Sequence, residues 1–485
     1  MPSPEKVEQT APETRRSRRI LSLDGGGIYG LVEALWLKEL CISDETFLDG
    51  TDIDLFAGCS SGAINALLLA RYDRPRDAVL GGVLESFWTD QGTFTNSDPM
   101  GSWLSLFGLT PWFSERDFLQ QLERHFGNIT LRELKKNVLI SAYNWTGGTP
   151  TFNTASQQLS WPFSLFAPQS LSGGMPGGES WGPKYFVSYR LPEQLQSFIP
   201  NDPNLDYRVV DIAYGAATPP GFRKIRAGIG DGASFTANPA VAAIASIRWF
   251  ELSDVLREAV ERSPVGLKSP GHPDSSRQDD PALAAVFQLV RQYLETQGSD
   301  FLARVSVLSV GSGQFMPAYW SRDIDLGFST FQSLPTNPAM GVWYSPSAYS
   351  LDPATKGDEY TCWTLLGDRF YRLNPQVLSM PTVMAAFVAR FPGWRDALRS
   401  QIHAAVGSFG SRQALVGARQ FLSKGWHGAA VPDDVRRSHP LHPQVLIQQF
   451  HNAVGAAQAL APVLAGGAKP GSPPKGGGSG RGSRG

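Results

Sequence analysis

The run Asp24-Gly25-Gly26-Gly27-Ile28-Tyr29-Gly30 sets four glycines in seven residues, between the strand-like Arg19–Leu23 and a helix-like stretch from Leu31. Backbone freed from side-chain bulk lets consecutive N–H groups turn toward one point. At a helix N-terminus such donors suit a negative charge, either a bound phosphate or a developing oxyanion. The glycines alone do not choose between the two. Gly58-Cys59-Ser60-Ser61-Gly62 supplies the choice, because this G-x-S-x-G turn follows the apolar Leu55-Phe56-Ala57 and opens into the helical Ala63 to Ala70. A nucleophile elbow needs that strand–turn–helix context, with glycines leaving room for a turn sharp enough to push the serine hydroxyl outward. A third element follows Arg226-Ala227-Gly228-Ile229-Gly230: Asp231-Gly232-Ala233, then Asn238-Pro239 and another helix. Asp231 ends a strand on a turn of small residues, where a carboxylate can face a neighbouring catalytic group.

The elements that must position these residues alternate between strand and helix, which predicts an α/β fold with a mostly parallel sheet covered by helices. Leu31–Leu40, Ala78–Trp88, the amphipathic Glu115–Phe126, Asn238–Phe250 and Pro281–Leu294 read as helices. Val138–Tyr143 and Lys184–Tyr189 read as strands. Two long irregular insertions interrupt the pattern. Pro99–Phe113 carries Trp103, Phe107, Trp112 and Phe113, and Ser160–Pro183 carries Trp161, Phe163, Phe166 and Trp181. Loops so rich in aromatics either roof the core or form a lid or interfacial surface. From about Tyr319 the chain turns loop-rich and then helical, around Val383–Arg390, Trp394–Val406 and Ser411–Leu422. The resulting divisions are a disordered segment over 1–17, a catalytic domain over 18–318, a C-terminal cap packed on it over 319–465, and a disordered Gly/Pro/Ser-rich basic tail over 466–485. The tail is either solvated or weakly drawn to anionic lipid.

A chain of 485 residues with 42% hydrophobic and 18% charged residues can bury a full core, and its net charge of −1 gives no reason to expect nucleic acid as a partner. Three cysteines, Cys41, Cys59 and Cys362, are odd in number and widely spaced, so they form neither a disulfide framework nor a metal-ligand set. That usage suits a reducing compartment. No apolar h-region follows the basic Arg15–Arg19, and no apolar run reaches the length of about 18 residues that a membrane span requires. The expected location is cytoplasmic, with any bilayer met peripherally.

Oxyanion loop, serine elbow and D-G-A turn, in that order, resemble the patatin-like phospholipases, lipid acyl hydrolases that use a Ser–Asp dyad. Ala216-Ala217-Thr218-Pro219-Pro220-Gly221-Phe222 and Val307-Leu308-Ser309-Val310-Gly311-Ser312-Gly313 look like two further blocks of that family, and Phe370-Tyr371-Arg372-Leu373 is a weaker echo. The resemblance covers Arg18 to Phe315, about two-thirds of the chain. It implies Ser60 as nucleophile, Asp231 as general base, and an oxyanion held by the N–H groups of Gly25, Gly26 and Gly27 with help from Ser61. It implies no cofactor and no metal, a lipid or membrane surface as substrate, and it leaves an activator and the oligomeric state open. An aspartate with a reference pKa of about 3.9 is a weak base for a serine, so a partly desolvated site must raise it. The seven histidines, His125, His272, His403, His427, His439, His442 and His451, include none on a small-residue turn after a strand, which disfavours a Ser–His–Asp arrangement.

One position departs from the family's D-G-G-G-x-[RK]-G. Tyr29 stands where a cation is usual, which puts the loop's anchoring or a phosphate headgroup contact in doubt. Arg223, Lys224 and Arg226, just before the D-G-A turn, either supply positive charge from another side or belong to solvated surface. Trp103 and Phe107 are the expected interface contacts. Competing readings are an esterase or thioesterase acting on soluble acyl compounds, and a catalytically idle lipid-binding regulator.

Overall fold

The computed structural model describes residues 16–50, 52–90, 113–145, 182–188, 203–219, 223–262, 301–316, 355, 357–374, 376–379 and 394–429. Its central sheet has seven strands: β1 (Arg18–Leu23), β2 (Leu55–Cys59), β3 (Val138–Asn144), β4 (Gly182–Val187), β5 (Ile229–Asp231), β6 (Val305–Val310) and, after the two-stranded pairing of β7 (Gln314–Met316) with β9 (Gln376–Ser379), β8 (Phe370–Leu373). The order is β4-β3-β2-β1-β6-β8, with β5 on β3. Pairings β1–β2, β1–β6, β2–β3 and β6–β8 are parallel, and those of β3 with β4 and β5 are antiparallel. The mostly parallel, helix-flanked α/β sheet read from the sequence is the observed one.

Its central strands are buried throughout. Ile20, Leu21 and Leu23 of β1 and every residue of β6 are shielded from water, as parallel strands with both faces covered require. Helix α1 (Gly30–Ser43) buries Trp36, Leu37 and Leu40, and α2 (Ser61–Ala70), apolar apart from Ser61 and Asn65, is buried along its whole length. The expected helix over Ala78–Trp88 is two, α3 (Pro75–Leu80) and α4 (Val83–Thr89), because Gly81-Gly82 breaks it with Gly82 at φ +72°. Helix α5 (Glu115–Phe126) begins at Ser114, whose hydroxyl accepts from the Asp117 N–H. Helices α6 (Val209–Ala216) and α7 (Ala240–Arg262) follow, and α7 packs on β1, β2 and β6.

Helix α8 (357–366), β8, α9 (Trp394–Val406) and α10 (Phe409–Ser423) come from the stretch expected to cap the domain. Residue 318 does not bound the sheet: β8 pairs with β6 and completes it, while α9 and α10 pack against α1. Helix Pro281–Leu294, the insertions 99–112 and 160–181, helix 383–390, the N-terminal 1–15 and the tail 466–485 lie outside the described residues.

The topology carries one consequence for chemistry. Along one edge of β3, β2 pairs as far as Cys59 opposite Ser141, and β5 takes over with Asp231 opposite Ala142. The end of the elbow strand and the end of the aspartate strand therefore abut on consecutive residues of β3. The elbow's glycines are fixed by packing as well. A β-carbon at Gly58 would run into the Gly62 carbonyl, and one at Gly62 into the carbonyls of Leu23 and Asp24. Since both obstacles are backbone, Gly62→Ala is expected to cost about 1–3 kcal/mol of stability by urea unfolding. Gly410→Ala, in a helix with open space around it, is expected to be neutral or stabilising by up to ~1 kcal/mol.

Candidate functional site

Ser60 sits between β2 and α2 at φ 50°, ψ −117°, a left-handed conformation that costs a non-glycine residue energy and persists only where its surroundings enforce it. Those surroundings are the close approaches at Gly58 and Gly62 and the Gly62 N–H, which donates to the Asp24 carbonyl at 2.9 Å. The strained turn aims the side chain off the sheet end, and the Ser60 hydroxyl donates to Asp231 Oδ2 at 2.6 Å. The other carboxylate oxygen, Oδ1, accepts from the Ala233 N–H at 2.8 Å, which fixes the rotamer. Gly232, next in the turn, lies so close to the Ser141 carbonyl that no side chain fits there.

Both partners are buried, Ser60 at 5% exposure and Asp231 at 1%. Burial pushes the Asp231 carboxyl up to about 7, although the Ser60 hydrogen bond, the Ala233 N–H and the charge of Arg223 hold it back. The sequence required a desolvated aspartate, and that is the environment found.

The glycine loop lies directly beside the serine: a β-carbon on Gly25 would stand 3.1 Å from that of Ser60. Of the four N–H groups expected to receive an oxyanion, one is already engaged. The Gly25 N–H is committed to the Ala237 carbonyl at 2.8 Å, so it is not free to bind a negative charge. The N–H groups of Gly26, Gly27 and Ser61 have no acceptor among the described residues, and that of Ser61 opens the buried helix α2, whose N-terminal dipole adds to the potential. Gly26 is pressed against the Ser312 side chain, whose hydroxyl donates to the Gly25 carbonyl at 3.1 Å.

The basic cluster divides. Arg223 is not at the surface: it is 4% exposed, with its guanidinium 3.8 Å from the centre of the Phe118 ring and 5.5 Å from that of Phe113, and burial lowers its pKa to about 10. Lys224 is exposed, and Arg226 is half-exposed beside Glu115 at 3.5 Å. Phe113 is buried, whereas Trp103 and Phe107 lie outside the described residues. Tyr29 is 4% exposed, and burial holds its hydroxyl well above the ordinary range. Of the histidines, three are described and none touches Asp231: His125 packs edge-on against Phe87, His403 stands 3.8 Å from Glu85, and His427 is exposed. All three cysteines are buried free thiols, and Cys59 Sγ donates to the Thr236 carbonyl at 3.0 Å.

The segment after the D-G-A turn ties the site together, and sequence reasoning passed over it. Ala237 receives Gly25, Thr236 receives Cys59, and Asn238 Oδ1 accepts from the Ser22 hydroxyl and the Ala240 N–H. The Asn238-Pro239 pair was visible in the sequence, but nothing local signalled that its neighbours dock on β1 and β2.

Residues 21–244 match the family model described as patatin-like phospholipase, and this span holds the glycine loop, the elbow and the D-G-A turn. This span is a patatin-like phospholipase domain. Its family places it among the lipid acyl hydrolases. Among solved structures, VipD from Legionella pneumophila is similar at 10% identity, over 83% of this chain and 67% of that one, with a TM-score of 0.27, too low to bear on fold or function. No curated protein matches the chain. No described helix is long and apolar enough to cross a membrane.

The Asp231 environment has a consequence for folding. Its folded pKa of about 7 lies above the unfolded value near 3.8, so the folded state holds the proton more tightly. Its contribution to stability is complete below about pH 4 and is lost as pH rises through about 7. Asp231→Asn cannot ionise. Urea unfolding at pH 5 and pH 8 is therefore expected to shift the difference between variant and wild type toward the variant at pH 8, by roughly 1–3 kcal/mol. No change in that difference would mean that Asp231 is not raised.

Proposed function

We propose that the domain hydrolyses the ester bonds of phospholipids or other acyl lipids through a Ser60–Asp231 dyad and an acyl-serine intermediate. The observation that carries this reading is the 2.6 Å hydrogen bond from Ser60 Oγ to a buried Asp231. Asp231 takes the hydroxyl proton as Ser60 Oγ attacks the ester carbonyl. A base near neutrality matches the conditions under which general-base transfer is efficient, and direct contact removes the entropic cost of bringing the two together. The carbonyl oxygen, negative in the tetrahedral intermediate, is received by the N–H groups of Gly26, Gly27 and Ser61, with the dipole of α2 behind them. Collapse of the intermediate expels the alcohol, which takes the proton from Asp231. Water then attacks the acyl-serine with Asp231 again as base, and Ser60 recovers its proton.

Fluorophosphonate capture tests the dyad, together with assays on phospholipid vesicles and a short soluble ester side by side. Ser60→Ala is expected to abolish capture and both activities with the fold intact, and Asp231→Asn to lower kcat by roughly 10²–10⁴-fold. In the wild type kcat/KM is expected to rise with pH through about 7, as the Asp231 carboxyl loses its proton. Labelling elsewhere in Ser60→Ala, or a collapse on replacing a histidine with Asp231→Asn nearly normal, would replace this mechanism.

Substrate presentation rests on the sequence of the insertion. Trp103 and Phe107, in a Gly/Pro-bearing segment, serve in this reading as contacts with a lipid surface. Trp103→Ser/Phe107→Ser is expected to lower vesicle binding by one to several orders of magnitude, from about 1.5–3 kcal/mol per aromatic, with soluble-ester hydrolysis nearly unchanged. Equal losses on both substrates, or a lower melting temperature, would assign these residues to the core. A soluble acyl ester or thioester as natural substrate is favoured by one feature, a buried Tyr29 where the family carries a cation. Preference for the soluble ester in the paired assay would support it.

A further inference from the structure

Asp24, the first residue of the glycine loop, carries a side chain that the mechanism above does not use. Its carboxylate is 3% exposed and receives the Arg372 guanidinium in a two-pronged contact, Nη1 to Oδ1 at 2.9 Å and Nη2 to Oδ2. Arg372 comes from β8, 348 residues away in sequence. It lies opposite Ser309 of β6, whose hydroxyl it also reaches at 2.7 Å, and so extends across β6 to the end of β1. Glu359 of α8 stands 3.8 Å from its Nε. The arginine side chain is 5% exposed, so little water screens the pair.

The backbone of Asp24 is tied as firmly as its side chain. Its N–H donates to the Val310 carbonyl at 3.1 Å, and its carbonyl accepts from the Gly62 N–H at 2.9 Å and the Ser61 hydroxyl at 3.4 Å. The residue thus joins the glycine loop on one side to the elbow and the start of α2 on the other. Every N–H group assigned to the oxyanion follows within three residues of Asp24 or belongs to Ser61, which its carbonyl holds. A bidentate arginine fixes direction as well as distance, which a single ammonium does not.

We propose that Arg372 is a positioning residue for ester hydrolysis: from β8 it locks Asp24 and with it the two halves of the oxyanion-binding backbone. The cation missing at Tyr29 is in this view replaced from the far edge of the sheet. The inference rests on the catalytic reading above.

The test compares Arg372→Gln, Arg372→Lys and the double variant Asp24→Asn/Arg372→Gln in kcat and KM on a short soluble ester, rate of fluorophosphonate capture, and melting temperature. Arg372→Gln leaves a buried carboxylate without its partner and loses stability for that reason alone. The double variant removes both charges and is expected to recover most of the melting temperature. It is also expected to keep a kcat about 10–100-fold below wild type with KM little changed, because the loss lies in oxyanion stabilisation. Arg372→Lys is expected to fall between, with a charge but no fork. A double variant with wild-type kcat and capture rate would overturn the proposal, as would activity losses that track melting temperature across all three. Absence of capture at Ser60 in the wild type would overturn the catalytic reading and this inference with it. Normal capture in the wild type, unchanged by Arg372→Gln, would overturn the inference alone.

Discussion

Where the Gly62 backbone meets the end of β1, there is no room for a side chain. A carbonyl from Leu23 and another from Asp24 occupy the space a β-carbon would need, and the Gly62 N–H bonds to the second of them. That contact brings the first turn of α2 onto the mouth of the glycine loop. It holds the turn in which Ser60 takes its left-handed conformation. The second constraint is the shared edge of β3, which sets Asp231 beside Cys59 with an offset of one residue. Given these two backbone facts, the hydrogen bond between Ser60 and Asp231 follows with little freedom left to either side chain.

The same arrangement costs stability. A positive-φ serine is strained, and a carboxyl at 1% exposure is held from water that would solvate its charge. Both penalties fall on the groups proposed to react, and both are offset elsewhere in the fold. Large side chains that are fully buried, among them Trp36, Phe56, Phe87 and Phe186, surround the sheet. Some polar groups under the site are paired in a buried network. Asn65 of α2, for example, donates to the Gly30 carbonyl and to Glu33 and accepts from the Trp88 indole. Glu33 itself is fully buried, and burial raises its carboxyl well above the ordinary range.

The motifs were legible in the sequence because each combines a local steric demand with a local pattern. Gly58 and Gly62 are glycines for packing reasons, the flanking Leu55–Ala57 and Ala63–Ala70 are apolar for burial reasons, and both signals sit within a dozen residues. Element positions were read well where periodicity was strong, as for Glu115–Phe126 and Trp394–Val406. They were read less well where two glycines split a helix after Leu80. Contacts that close over hundreds of residues escaped. That the Gly25 amide is consumed by Ala237 cannot be seen in a run of glycines, since the donor's identity does not reveal its partner. For Arg223 the sequence left open positive charge near the site or solvated surface; it lies instead against Phe118, because a guanidinium can stack on an aromatic face while its neighbour Lys224 stays in water.

The extent of the domain is a further matter of sheet physics. The family match ends at residue 244, inside α7, which continues to Arg262. By that point β1 has only one of its two edges covered. The other is filled by β6, and β6 is in turn covered by β8, a strand from the stretch read in the sequence as a cap packed on the catalytic domain. A parallel strand buried on both faces cannot leave its N–H and C=O groups unpaired on one edge without a desolvation cost for each. The glycine loop grows out of the C-terminal end of β1, and Val310 of β6 accepts the first N–H beyond that strand, from Asp24. The strands beyond the matched span are for that reason part of the catalytic sheet, and the loop that faces Ser60 is held on one side by residues within the match and on the other by β6 and β8.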